Sequence, residues 1–147
     1  MDNSKNMKIL ILFFIFFLTA CASTPVPFEK ATPIPKDRIY FQPGVTNQNS
    51  ATSIFIRDKG IQGNMVYAHL FINGVHAAAF DVGERAVFSL KPGEYIFTLK
   101  PTDPFGMTIS DSISQKLDVG KDYLYRVFFD GNSWRIQRVH PEIHNNP

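Results

Sequence analysis

Short apolar runs and polar segments follow one another along most of this chain. After the first twenty residues, no segment keeps a helical period. The longest alternation spans residues 107–119. Its apolar parity contains Met107, Ile109, Ile113, Leu117 and Val119. A period of two with one polar face indicates a strand that covers a core on one side. Asp111 and Gln115 break the apolar parity, which indicates a bulge, a bend or a position at the sheet edge.

Nine runs rich in Ile, Val, Phe and Tyr follow Asp37, and Gly, Pro, Asn or Asp residues separate them. They lie at residues 38–42, 53–57, 65–72, 75–80, 85–90, 94–100, 107–119, 122–129 and 133–139. Runs of this length and spacing are typical of an all-β domain. We therefore expect a small antiparallel β-sandwich, or a small barrel, of about seven to nine strands.

Three connections between these runs contain residues that specify turns. They are Asn73-Gly74, Lys91-Pro92-Gly93 and Asp130-Gly131-Asn132. The first and the third combine residues that tolerate positive φ, as a two-residue hairpin turn requires. In the second, proline presets φ at one central position and glycine accepts positive φ at the next, as in a type II turn. We expect the strands on either side of each turn to be antiparallel neighbours.

The N-terminus has a different pattern, in which Lys5 and Lys8 precede an unbroken apolar stretch at residues 9–18. A basic segment, a short apolar segment and small residues before a cleavage site are the parts of a secretory signal peptide. As a helix, this stretch would reach about 15 Å, which is half of the hydrocarbon core of a bilayer. The pattern therefore favours a signal that is removed over a permanent membrane span.

The only cysteine of the chain, Cys21, follows this apolar stretch. The motif Leu18-Thr19-Ala20-Cys21 resembles the lipobox of bacterial lipoproteins, in which cleavage between the last two residues leaves an acylated cysteine at the mature N-terminus. The acyl chains typical of that family imply essentially irreversible anchoring. Ala22 stands where an aspartate would resemble the inner-membrane retention signal, so the resemblance implies the outer membrane and its periplasmic face.

Composition divides the rest of the chain into a tether, one domain and a tail. Residues 22–35 contain prolines at 25, 27, 33 and 35 and no apolar period. Proline fixes φ, so we expect an extended, semi-rigid spacer that reaches up to about 43 Å. The expected organisation is a signal peptide at 1–20, the acylated cysteine and tether at 21–36, a sandwich domain at 37–140 and a flexible tail at 141–147.

The charge of the mature chain is nearly balanced. Removal of Lys5, Lys8 and Asp2 with the signal peptide leaves 13 basic and 12 acidic residues. This balance argues against a nucleic-acid partner, which would require a clustered basic face. The remaining 127 residues fit one domain, and they suffice to bury a core without disulfides.

The turns give a family resemblance. Residues 70–99, residues 37–41 and the lipobox together resemble a bacterial lipoprotein family known as domain of unknown function 2846. The shared features are an early strand, a D/N-G turn, a glycine and a P-G turn, here at residues 38–41, Asn73-Gly74, Gly83 and Pro92-Gly93. The hairpins are also similar to those of PEGA-type envelope domains. The resemblance implies a small envelope sandwich and no catalytic residues.

Four histidines are the candidate ligands. His140 and His144 have the spacing of one helix face, but two imidazoles rarely form a closed metal site, so a solvated tail is the expected role. His69 and His76 flank the Asn73-Gly74 turn, which would bring them together on paired strands. They are either exposed hairpin residues or a pair that binds a ligand or senses pH. We predict no metal and no cofactor.

The sequence contains none of the common catalytic motifs: it lacks a GxSxG elbow, a GxxxxGK loop, an HExxH pair and a catalytic cysteine. We therefore predict that the chain is not an enzyme. The alternative is an enzyme that acts on envelope glycan or peptide, because two carboxylates can meet in space without a motif. His69, His76 and Asp81 would be the first residues to test in that case.

Aromatic residues provide the candidate binding surface: Tyr67, Tyr123, Tyr125 and Trp134. The run at 122–129 is apolar on both faces, which is typical of a central core strand. The alternative is that one face meets a partner protein or a glycan of the envelope. The sequence thus predicts a lipid-anchored, non-enzymatic binding or accessory module, and a subunit of a secretion or envelope assembly machine is a related alternative.

Overall fold

The computed structural model describes residues 23–41, 49–60, 63–102 and 110–139, which contain nine strands. The strands are β1 (Thr32–Pro33), β2 (Ala51–Arg57), β3 (Ala68–Ile72), β4 (Val75–Phe80), β5 (Glu84–Leu90), β6 (Gly93–Pro101), β7 (Asp111–Leu117), β8 (Asp122–Phe129) and β9 (Trp134–Val139). One sheet has the order β1-β5-β2-β8-β9, and the other has the order β4-β3-β6-β7. The predicted all-β sandwich is confirmed.

Helical structure in the described part of the chain is limited to two 3-10 turns, Phe28–Lys30 and Lys36–Arg38. Among the same residues, no helix has the length and hydrophobicity needed to cross a membrane. The expected signal peptide and Cys21 lie outside the described residues, and so do His140 and the tail that follows it.

Eight of the nine apolar runs contain the strands β2 to β9, with differences only at their ends. The exception is the run at 38–42. Its first residue closes a 3-10 turn, and Ile39 makes a single bridge to Ala78 of β4. The expected strand is therefore wrong at this position, because the segment meets the edge of β4 only briefly.

The turn chemistry predicts two of three strand pairs. The Asn73-Gly74 turn joins the antiparallel neighbours β3 and β4, and the loop at 130–133 joins β8 and β9. The pair expected across Pro92 is wrong, because β5 and β6 belong to different sheets. Gly93 has a φ of +151°, whereas a type II turn needs about +80° at that position. This bend takes the chain from one layer to the other.

Parallel pairing makes the five-stranded sheet mixed. The central strand β2 runs antiparallel to β5 and parallel to β8. The short strand β1 also runs parallel to its neighbour β5. The four-stranded sheet is antiparallel throughout.

Aromatic rings from the two sheets meet at the centre of the core. Phe55 of β2 is fully buried. Its ring stacks on Tyr125 at 4.7 Å between centroids and meets Phe97 of the opposite sheet edge-on at 5.1 Å. Buried aromatic pairs at these separations add specific geometry to the apolar area that they remove from water.

The polar residues of β7 lie at the edge of the sandwich. The pairing of β7 with β6 continues from Asp111 to Leu117 without a register shift, so no bulge is present. Asp111 Oδ2 accepts a hydrogen bond from the backbone N–H of Ile136 in β9 at 2.9 Å, and Gln115 Oε1 accepts one from Arg138 at 3.2 Å. The edge-strand interpretation is confirmed, and the two polar side chains join the sheets along that edge.

The proline-rich segment packs on the domain. Val26 and Ala31 are buried against Ile56 and Leu124 on the outer face of the five-stranded sheet. Ile34 belongs to the main core. The expected free spacer is therefore not present over residues 23–35, because its apolar residues cover a sheet face that would otherwise be exposed.

A buried ion pair fastens this segment to the sheet. Arg126 of β8 donates from Nε to Asp58 Oδ2 at 2.9 Å, and a second, shorter contact joins Nη2 to Oδ1. The same Oδ1 accepts the backbone N–H of Val26 at 3.3 Å. Because both charged groups are buried, the pair is held in one geometry, and Val26 is positioned with it.

This packing gives a stability prediction. Replacement Ile34→Ala should lower the free energy of unfolding by about 2 to 4 kcal/mol, because it leaves a cavity in the core. The matched control is Thr32→Ala, whose side chain is exposed in the same segment and whose change should stay within about 0.5 kcal/mol. Urea unfolding measures both. Equal, small effects would show that the segment does not contribute to the fold.

Candidate functional site

The structure buries three of the four aromatic residues expected to form a binding surface. Tyr123, Tyr125 and Trp134 are each 3% exposed or less. The reason is that Tyr123 and Tyr125 of β8 and Trp134 of β9 all belong to the main hydrophobic core. Only Tyr67 is exposed, at 43%, and the guanidinium of Arg38 lies 5.0 Å from its ring centroid.

A different group of rings occupies the outer face of the four-stranded sheet. His76 of β4 is the centre of this group, which we call the histidine cluster and which consists of Tyr40, His69, Phe71 and His76. The ring centroids of the other three residues lie 4.2 to 4.9 Å from that of His76. Tyr40 is 51% exposed, so the cluster is accessible from solvent.

A β-bulge makes this arrangement possible. In a regular strand His76 and Phe80 would point to the same face, since they are four residues apart. The pairing of β3 with β4 shifts at Ala77, because Leu70 is opposite Ala78 whereas Phe71 is opposite His76. The extra residue lets Phe80 enter the core while His76 stays on the outer face, which is a common effect of bulges near functional sites.

The bulge also positions Tyr40. The carbonyl of Ala77 accepts the backbone N–H groups of both Tyr40 and Phe41, at 2.9 and 3.2 Å. Two residues before Tyr40, Arg38 forms a bidentate ion pair with Glu84 at 2.5 and 2.8 Å. These contacts fix the segment on the edge of β4, so the Tyr40 ring is held over His76.

The two imidazoles are in direct contact. His69 Nδ1 lies 2.9 Å from His76 Nε2, and His69 Nε2 lies 2.5 Å from Thr102 Oγ1. The expectation that the hairpin brings the histidines together is confirmed. Burial lowers the pKa of both residues, and the neighbouring imidazole lowers the pKa of His69 further. Because both pKa values lie below the ordinary value of 6.5, the neutral form of each imidazole predominates at pH 7.

The cluster presents aromatic rings and imidazole nitrogens at the surface. Among the residues that the structure describes, no group of three His, Cys, Asp or Glu side chains is placed to hold a metal. Asp81, the carboxylate named for an enzyme alternative, accepts the N–H of Val82 at 2.7 Å and so stabilises its own turn. Partly exposed aromatic rings, imidazole nitrogens and hydroxyl groups are of the types found at protein interfaces.

Comparison of the chain with protein-family models, with curated proteins and with solved structures finds no match. The family resemblance of the turns therefore stays a prediction.

The histidine pair makes stability depend on pH. Because both pKa values are lower in the folded protein than the ordinary value of 6.5, the unfolded chain binds protons first as the pH falls. The free energy of unfolding should therefore decrease below about pH 6.5. In the double variant His69→Gln/His76→Gln this decrease should be smaller. Urea unfolding at pH 7.5 and pH 5 measures it, and identical pH dependences would contradict the prediction.

Proposed function

We propose that this chain is a lipid-anchored envelope protein that binds another envelope protein through the histidine cluster and has no catalytic activity of its own. The observation that supports this most directly is the contrast between the two outer faces. Residues 24–34 cover the five-stranded sheet, whereas on the four-stranded sheet a bulge and two backbone hydrogen bonds hold the exposed ring of Tyr40 over partly exposed neighbours.

A protein partner suits the shape of this surface. The cluster lies on a sheet face whose neighbouring positions carry short hydroxyl side chains, such as Thr98 and Ser112, which hydrogen-bond to each other at 2.9 Å. Lys100 lies 4.7 Å from the centroid of the Phe71 ring and adds a positive charge. Aromatic rings surrounded by polar groups are the usual composition of a protein interface. A chain that binds an envelope protein through this surface would have an accessory role in an envelope assembly.

Site-specific photocrosslinking in cells tests the binding face. A photoreactive amino acid at Tyr40 or Phe71 should capture one dominant protein, and His76→Ala should reduce that capture because His76 supports both rings. Val87, exposed on the opposite sheet, is the matched control position and should capture nothing specific. Capture of a glycan would show that the partner is a glycan and not a protein. Equal capture from Val87 would contradict the proposed binding face.

The anchor has its own test. Cys21→Ser should abolish incorporation of a clickable palmitate analogue and leave an uncleaved precursor, because the sulfur that accepts the lipid is absent. Mass spectrometry of the intact protein and fractionation of membranes measure both effects. A variant that is processed normally and still fractionates with the outer membrane would refute the lipoprotein assignment.

A further inference from the structure

The fold begins almost immediately after Cys21. Thr24 forms two backbone hydrogen bonds with Lys59, at 2.6 and 3.0 Å, just beyond the end of β2. An extended chain covers at most about 3.6 Å per residue, so the Cα atom of Thr24 lies within about 11 Å of that of Cys21. The end of the sandwich at which β2 finishes is therefore the end nearest to any group attached to Cys21.

The turn formed by residues 63–66 lies at this same end of the sandwich and is held in place by the core. The buried guanidinium of Arg57 donates from Nη2 to the carbonyl of Gly63 at 2.6 Å and from Nη1 to that of Val66 at 2.8 Å. Gly63 packs against Trp134 so closely that a Cβ atom there would lie 3.1 Å from the ring. Both ends of the turn are fixed by these contacts, and Met65 between them is 94% exposed.

The turn lies near Ser23, the first residue that the structure describes. Ser23 lines a shallow depression together with Arg57 and Trp134, and these are the two residues that hold the turn. Lys59, in the same depression, is exposed and carries a positive charge. A fully exposed methionine on a fixed turn, with an exposed lysine at the same end of the sandwich, can contact acyl chains and phosphate groups at a bilayer surface.

We infer that this end of the sandwich rests directly on the lipid surface, with Met65 at the boundary between headgroups and acyl chains and Lys59 among the phosphates. The inference rests on the proposed acylation of Cys21. In this arrangement the domain sits directly on the membrane and is not held away from it by a spacer. The opposite end, where Val119 precedes the hydrogen bonds of Gly120 and Lys121 to the start of β2, points away from the lipid.

Single-cysteine labelling tests the orientation. Acylation consumes the only native thiol, so an introduced cysteine is the only free one in the mature protein. Met65→Cys, Val87→Cys and Val119→Cys are each labelled with an environment-sensitive fluorophore. All three native side chains are exposed, so the changes should not disturb the fold. The acylated proteins are then incorporated into phosphatidylethanolamine–phosphatidylglycerol vesicles with brominated acyl chains. The bromine atoms quench a fluorophore that is in contact with the acyl chains.

The label at Met65 should lose about half of its fluorescence or more and shift to the blue. The seven residues of β2 separate the two ends by about 24 Å, so the label at Val119 should keep its fluorescence, and Val87, in mid-sheet, should also stay unquenched. Vesicle-bound, acylated protein with equal signals at all three positions would overturn the orientation and leave the anchor intact. Absence of the acyl mass would overturn the anchor, and the orientation with it.

Discussion

A single buried cation joins the parts of this fold. The guanidinium of Arg57, at the end of β2, donates to the carbonyls of Gly63, Val66 and Phe80 and lies 4.7 Å from the centroid of the Trp134 ring. It therefore connects the five-stranded sheet to the turn before β3 and to the end of β4. Burial lowers the pKa of Arg57 to about 10, so it keeps its charge at neutral pH. Three charge-assisted hydrogen bonds offset much of the cost of removing that charge from water.

Short apolar runs separated by turn residues predicted most of the fold, since each strand from β2 to β9 overlaps a run recognised from the sequence. The errors share one physical cause, which is that local chemistry does not identify the tertiary partner. Pro92 and Gly93 permit a sharp bend, and the same bend serves either a hairpin or a crossing between sheets. The apolar residues between the prolines, such as Val26 and Ile34, can cover a sheet without forming a regular strand. The composition of this segment is therefore the same as that of a free spacer.

The histidine pair was predictable because the Asn73-Gly74 turn fixes which residues of β3 and β4 meet. Tyr40 was not, because its position depends on a carbonyl freed by the bulge at Ala77. A run of three alanines has no alternation from which a bulge can be recognised. Tyr123 and Tyr125 were the converse case: their chemistry suits an interface, but both rings lie on the side of β8 that belongs to the main core.

The parallel pairing of β2 with β8 has a consequence for how the chain reaches this fold. Thr52 pairs with Asp122, about 70 residues later, so one hydrogen-bonding edge of the central strand has no partner until nearly the whole sequence has been released. Closing so long a loop is entropically costly, and pairings of this kind are formed slowly. A chain synthesised from its N-terminus therefore has an open β-edge until β8 has been made, and open edges of this kind favour aggregation.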